Sequence, residues 1–405
     1  MQWKRLLLGI QHLFTMFGAT ILVPYLTGIP VSVALFTSGV GTLIFHVVTK
    51  GKVPVYLGSS FAFIAPIISV TSYYAAQGEQ ALALGYATGG IMIAGLVYIA
   101  FSFLIYKVGI EKVTKVFNPL ISGTMIMLIG LILAPVAIGM ASSNWALALV
   151  AIVTMVVVKM LLKGFVSMLP VLIGIFVGYI VAAIAGQVTI EPAAWISWPA
   201  FYLPRFSWYA LSIIVPAAIA PAIEHIGDVY AVSMVTGKKF YDDPGMHRTL
   251  LGDGIATSFA GFLGGPANTT YSENTGVLAF TGVFDPWVMR IAAIGAIILS
   301  FVPAVESFIA SIPQSVMGGV SIILFGMIAS IGARTLIQNK VQMNNKNVII
   351  MSLMLVSGLG GASITAGNFS LEGLGLAAII GIVCQLIIPE DRTGESQALP
   401  QEKKK

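Results

Sequence analysis

Charge is what this chain is short of. Of its 405 residues, only 9% are Asp, Glu, Lys or Arg, against roughly a quarter in a soluble domain. So little polar surface cannot cover a globule of this length, and a water-soluble fold is excluded. Cysteine is nearly absent. Cys384 stands alone, so no disulfide forms within the chain. There is no HExxH pair for a catalytic zinc and no GxSxG elbow for a serine nucleophile, which leaves an intramembrane enzyme without support. The net charge of +5 comes from basic residues scattered between apolar runs. That scatter argues against nucleic acid as a partner and reads as a set of topology signals.

What the chain does have is apolar length. Hydrophobic residues make up 57% and the mean hydropathy is +0.94. A spanning helix needs ~20 apolar residues, and such runs recur from end to end. The basic start "MQWKRLLLGIQHLF" leads into a first helix rather than a cleaved leader. Segments are expected at 4–27, 30–49, 54–70, 82–106, 115–140, 144–162, 167–187, 207–235, 247–264, 266–284, 286–311, 313–333, 347–361 and 371–389. The chain therefore reads as an all-α polytopic membrane protein of fourteen segments. Lys and Arg fall almost wholly before the first segment and after the even-numbered ones, with Arg205 the lone exception. By the positive-inside rule, both termini and the even gaps are cytoplasmic.

Two segments do not fit a plain helix. "PVYLGSSFAFIAP" is short and "PANTTYSENTGVLAF" is polar. They are third and tenth, seven apart, and an odd offset inverts one half of the chain relative to the other. Interrupted spans at matching places in two halves point to a transporter's binding site. Backbone polar groups at membrane depth must be paired within the protein. A short strand followed by a half-helix meets that need, and the two strands can pair with each other. Each half-helix then starts near the midplane with N–H groups that lack an intrahelical partner. Ser59 and Ser60 before Phe61, and Tyr271 and Ser272 before Glu273, mark those starts.

Acids inside apolar runs are the second signal. Glu224 and Asp228 lie four apart on one helix face, and Asp253 and Glu273 follow in the next two segments. A charge at the bilayer centre costs at least about 2.5 kcal/mol, and these segments lack a matching set of basic residues. Carboxylates there can accept N–H bonds from a solute. They can also take up a proton, which couples solute to a proton gradient.

The stretches "QHLFTMFGAT", "VPVYLGSSFAFIAP", "EHIGD", "DPGMHRTLLGDG", "NTTYSENTGV" and "VMGGVSIILFG" together resemble the nucleobase–cation symporter-2 (nucleobase–ascorbate transporter) family, and within it the bacterial uracil-transporting branch. The resemblance covers nearly all of residues 1–390. It implies an inverted seven-plus-seven repeat with short strands and half-helices in segments three and ten. It implies a core domain from 1–110 and 201–311, a gate domain from 111–200 and 312–390, and a cytoplasmic tail over 391–405. It implies homodimers in a bacterial cell membrane, with the core moving against the gate. Carried over by residue, Glu224 and Glu273 would be the substrate carboxylates, and the N–H groups of Phe61 and Ser272 the amide donors. Ala19, Tyr271, Ser321 and Phe325 would line the pocket. Glu224, Asp228, Asp253 and His12 are the proton-coupling candidates, and His225 reads as a core histidine. No cofactor is implied.

Two positions depart from the pattern. Asp228 stands where one uracil-transporting type has His and where purine relatives have Asp. Phe325 stands where that type has Tyr. Position 273 weighs the other way, since purine relatives usually carry Gln there. Uracil offers two ring N–H donors and two carbonyl acceptors, which two carboxylates and two amide N–H groups complement. The expected activity is uracil import coupled to protons, with sodium the lesser alternative as coupling ion. A xanthine or guanine permease of the same family, and an anion transporter of related architecture, are the competing readings. Two carboxylates in the site would repel an anion.

Overall fold

The computed structural model describes residues 2–367 and 369–389, so the tail expected over 391–405 lies outside the described residues. The chain opens with α1 (Gln2–Thr27) and α2 (Val31–Val48). A strand, β1 (Leu57–Ser59), and one 3-10 turn at Phe61–Phe63 then lead into α3 (Ile64–Ala76). Next come α4 (Gln80–Val108), α5 (Ile110–Val116), α6 (Pro119–Ile132), α7 (Ala134–Ala141), α8 (Trp145–Leu161) and α9 (Pro170–Ile184). The second half begins with α10 (Trp208–Ala217), α11 (Ile219–Thr236) and α12 (Met246–Phe262). It continues through β2 (Asn268–Thr270), α13 (Ser272–Thr281), α14 (Pro286–Ser300) and α15 (Pro303–Ala310). It closes with α16 (Gln314–Gln338), α17 (Asn345–Leu359), a hairpin of β3 (Ser363–Ala366) and β4 (Phe369–Glu372), and α18 (Gly373–Ile387).

Among the described residues, six helices are long and apolar enough to cross a bilayer, counting α6 with α7 and α10 with α11 as continuous. Several segments expected as single helices are broken. The stretch 115–140 breaks at Asn118, whose side chain accepts from Ile121 N–H at 3.0 Å and restarts the helix at Pro119. The stretch 286–311 bends by 81° between α14 and α15. Pro303 opens α15, and the helix is held crosswise by its polar side chains. Glu306 accepts Val31 N–H at 3.2 Å, and Ser307 donates to Glu191 O at 2.6 Å. The last helix begins only at Gly373, because residues 363–372 form the β3–β4 hairpin.

Two groups of helices pack among themselves. In one, α12 lies against α4 and α2, and α14 against α2 and α1. In the other, α16 lies against α6, α7 and α8, with α17 on α6 and α18. The strands sit inside the first group. β1 and β2 pair antiparallel, with Leu57 opposite Thr270, Gly58 opposite Thr269 and Ser59 opposite Asn268. A two-stranded ribbon has two open edges, which lipid cannot satisfy. Hydroxyls from the flanking helices close them. From α2, Ser38 donates to Leu57 O at 2.8 Å, and Thr42 accepts Leu57 N–H at 2.9 Å. From α12, Thr257 donates to Asn268 O at 3.0 Å, and the Asn268 amide donates to Thr37 O and Ala256 O. Gly41 makes room for that amide, since a Cβ there would meet Asn268 Nδ2 at 2.4 Å.

Candidate functional site

The ribbon delivers two helix starts to the interior from opposite halves of the chain. Phe61 begins the turn into α3, and Ser272 begins α13. By position, the first N–H groups of each have no intrahelical acceptor. The crossing is anchored beyond its ladder by Ser60 N–H on Ala267 O at 2.8 Å and Tyr271 N–H on Tyr56 O at 3.1 Å. The Tyr271 hydroxyl donates to Ser59 O at 2.9 Å, which lays its ring over Gly58. A Cβ at position 58 would meet that ring at 2.2 Å.

The open face lies next to this crossing. Residues 268–271 are buried, whereas Ser272, Glu273 and Gly276 are exposed, as are Ala279 and Phe280 one turn further on. This is a continuous stripe along α13. Across from it, α11 presents half-buried Glu224, exposed Gly227 and half-buried Asp228. A Cβ on Gly227 or Gly276 would find nothing within 4 Å. Two acid-bearing helix faces, of α11 and α13, thus pack together. Asp228 joins them: Thr270 Oγ1 donates to one carboxylate oxygen and Ser272 Oγ to the other, each at 2.7 Å. Glu224 lies one turn before Asp228 on the same face of α11.

Apart from half-buried Phe61, the remaining candidates are buried. Asp253 is fully buried, with its carboxylate 3.3 Å from Nδ1 of the equally buried His225. The two lie away from the open face. His12 is 1% exposed, and Asn274 of α13 reaches it twice, with Nδ2 3.1 Å from Nδ1 and 3.3 Å from the backbone oxygen. Ala19 and Tyr271 are buried in the apolar core. Ser321 is buried too, and its hydroxyl is taken by Met317 O at 2.7 Å in its own helix. Phe325 is buried edge-on to half-buried Phe61, with ring centroids 6.3 Å apart. Phe61 packs against both apolar clusters of the molecule and so sits at their seam. The sequence reading did not single out the hydroxyls of Thr270 and Ser272 as partners of Asp228, nor Asn274. A polar residue at each of positions 268–275 was the available signal.

Two helix starts and several acidic side chains thus come together among apolar helices. The model of the xanthine/uracil permease family matches residues 3–367, and the chain belongs to that family. It is 44% identical to a uracil permease of Bacillus caldolyticus, over 96% of this chain and 92% of that one. It is 43% identical to the uracil permease of Bacillus subtilis strain 168, over 97% and 94%. In fold it is similar to the transmembrane domain of the cyanobacterial bicarbonate transporter BicA, with a TM-score of 0.63 at 17% identity over 94% of this chain and 96% of that one. The chain is an all-helical, multi-span membrane protein of that architecture.

Proposed function

We propose that this protein imports uracil across a bacterial cell membrane together with a proton. One observation carries the site: Asp228, on the helix of Glu224, accepts from Thr270 and Ser272 and so sets the helices bearing Glu224 and Glu273 against each other beside the start of α13. In this reading, the two carboxylates accept the two ring N–H groups of uracil. The N–H groups of Phe61 and Ser272 donate to its carbonyls, and the Phe61 ring packs against the base. Ala19, Tyr271, Ser321 and Phe325 back this surface and set its width. Glu224 is the favoured proton acceptor, with Asp228, Asp253 and His12 around it. The names of the relatives, uracil permeases at 43–44% identity, support the substrate.

The two packing groups support a division into a core of 1–110 and 201–311 and a gate of 111–200 and 312–390. The paired strands support a seven-plus-seven inverted repeat of fourteen segments. Several of these segments are shorter than a full span or broken, and both termini would be cytoplasmic. Movement of core against gate in a homodimer would expose the site to each side of the membrane in turn.

Uptake by cells expressing the protein tests the reading. Unlabelled uracil should compete with labelled uracil far better than xanthine does, and a protonophore should collapse accumulation. Strong competition by xanthine would favour the purine reading, for which Asp228 is the specific observation. Accumulation that survives the protonophore under an imposed sodium gradient would remove the proton.

A further inference from the structure

Asp228 is bound on both sides of its carboxylate, and neither bond is to its own helix. Thr270, the last residue of β2, donates to Oδ2, and Ser272, the first residue of α13, donates to Oδ1, each at 2.7 Å. Tyr271 between them is tied the other way, through N–H to Tyr56 O at 3.1 Å and through its hydroxyl to Ser59 O at 2.9 Å. Three consecutive residues are thus each anchored, and Glu273 is the next one. No side chain at the N-cap position secures this helix start, because Tyr271 makes no capping hydrogen bond. The hydroxyl of Ser272, held by Asp228, and the amide of Asn274, on His12, are the side-chain bonds of the first turn.

The geometry points to Asp228 as a positioning residue: a carboxylate fork that holds the strand-to-helix junction, so that Glu273 and the N–H of Ser272 face Glu224 at a set spacing. This deepens the uracil reading and rests on it. Hydrogen bonds to an ionised acceptor are shorter and stronger than neutral ones, which suits a clamp on a helix turn that would otherwise fray. Glu224 and Asp228 share a face of α11, so the fork sets α13 directly against the helix that carries the other substrate acid. With both oxygens serving as acceptors, this role assigns the transported proton to another side chain.

The test is a pair of measurements on purified full-length protein. In the first, thermal unfolding without ligand compares Ser272→Ala, Thr270→Val, Asp228→Ala and the double variants. Each single change should lower the melting temperature, and a hydroxyl removed in the Asp228→Ala background should cost little more. In the second, uracil titration should show affinity falling about tenfold in Asp228→Ala and severalfold in Ser272→Ala. Asp228→Asn keeps one acceptor and adds a donor that a hydroxyl oxygen can take. It should weaken binding only two- to threefold and leave the pH profile of uptake in place. Additive melting effects overturn the fork. So does Asp228→Asn if it is as weak as Asp228→Ala, or if it flattens the pH profile, which would make Asp228 the proton carrier. Should the parent protein bind no uracil while the melting effects stay coupled, the fork stands and the substrate assignment is the part that falls.

Discussion

The chemistry proposed for Glu273 depends on its place at the first turn of α13, where its own helix contributes free N–H groups and partial positive charge. That placement favours a carboxylate and gives it a substrate N–H to accept. Gly58 is the other residue on which the site turns. A methyl at 58 would enter the Tyr271 ring at 2.2 Å, and that ring is pinned by its hydroxyl on Ser59 O. Gly58→Ala should therefore disturb the strand crossing, with uracil binding lost and a melting temperature several degrees lower. Gly227→Ala places its methyl in open space and gains helix propensity, so it should fold as well as the parent. Thermal unfolding of the two variants side by side checks both statements. At this scale the sequence is legible where residue type conflicts with surroundings, as with an acid at 224 or 273 inside an apolar run. It is not legible where a bond joins distant segments. Nothing in the period of residues 219–236 says that Asp228 meets the hydroxyls of 270 and 272. Nothing marks Ser321 as a hydroxyl already spent on its own helix.

At the level of elements, the crossing of 57–59 with 268–270 follows from two polar or glycine-bearing interruptions at matching places. The need to pair their backbone groups leaves few other solutions. The bend between α14 and α15 is harder to foresee, because 286–311 is apolar throughout and Pro303 is its main mark. The hairpin at 363–372 is hidden for a similar reason, being short and partly apolar. It has a mechanical consequence. Glu372 of β4 accepts from Ser69 of α3 at 2.6 Å, and Ser370 N–H donates to Ser212 of α10 at 2.9 Å. If α3 and α10 move with the core and β4 with the gate, both contacts must part in each cycle. A disulfide between Ser69→Cys and Glu372→Cys, with Cys384 replaced by Ser, should block uptake, and reduction should restore it. Uptake unaffected by the cross-link would remove the movement. On the opposite flank of the core, Lys52 donates to Asp243 at 2.6 Å and holds its carboxyl below the usual carboxylate range. A lowered value means that the bond is present at neutral pH and is lost only as pH falls through it, below about pH 4. Both side chains face solvent, so salt screens the pair. Asp243→Asn should shift the melting temperature at pH 7 by no more than about 2 °C.

For the whole molecule, family membership gives a permease, and the helices pack in two groups. Composition alone places the chain in the bilayer, because 9% charged residues cannot solvate a fold of this size. Which helices form which group is not visible in composition, since apolar runs look alike whatever they pack against. The close approaches that separate the groups are long-range contacts between small residues. In the proposed site, two acids from separate helices jointly hold a neutral heterocycle. The direct measurement is calorimetric titration of uracil into purified parent protein and into Glu224→Gln and Glu273→Gln. Each substitution removes a charge-assisted acceptor and should weaken binding about 10- to 100-fold, with the folded state intact by thermal unfolding. Parent-like affinity in either variant would contradict the claim.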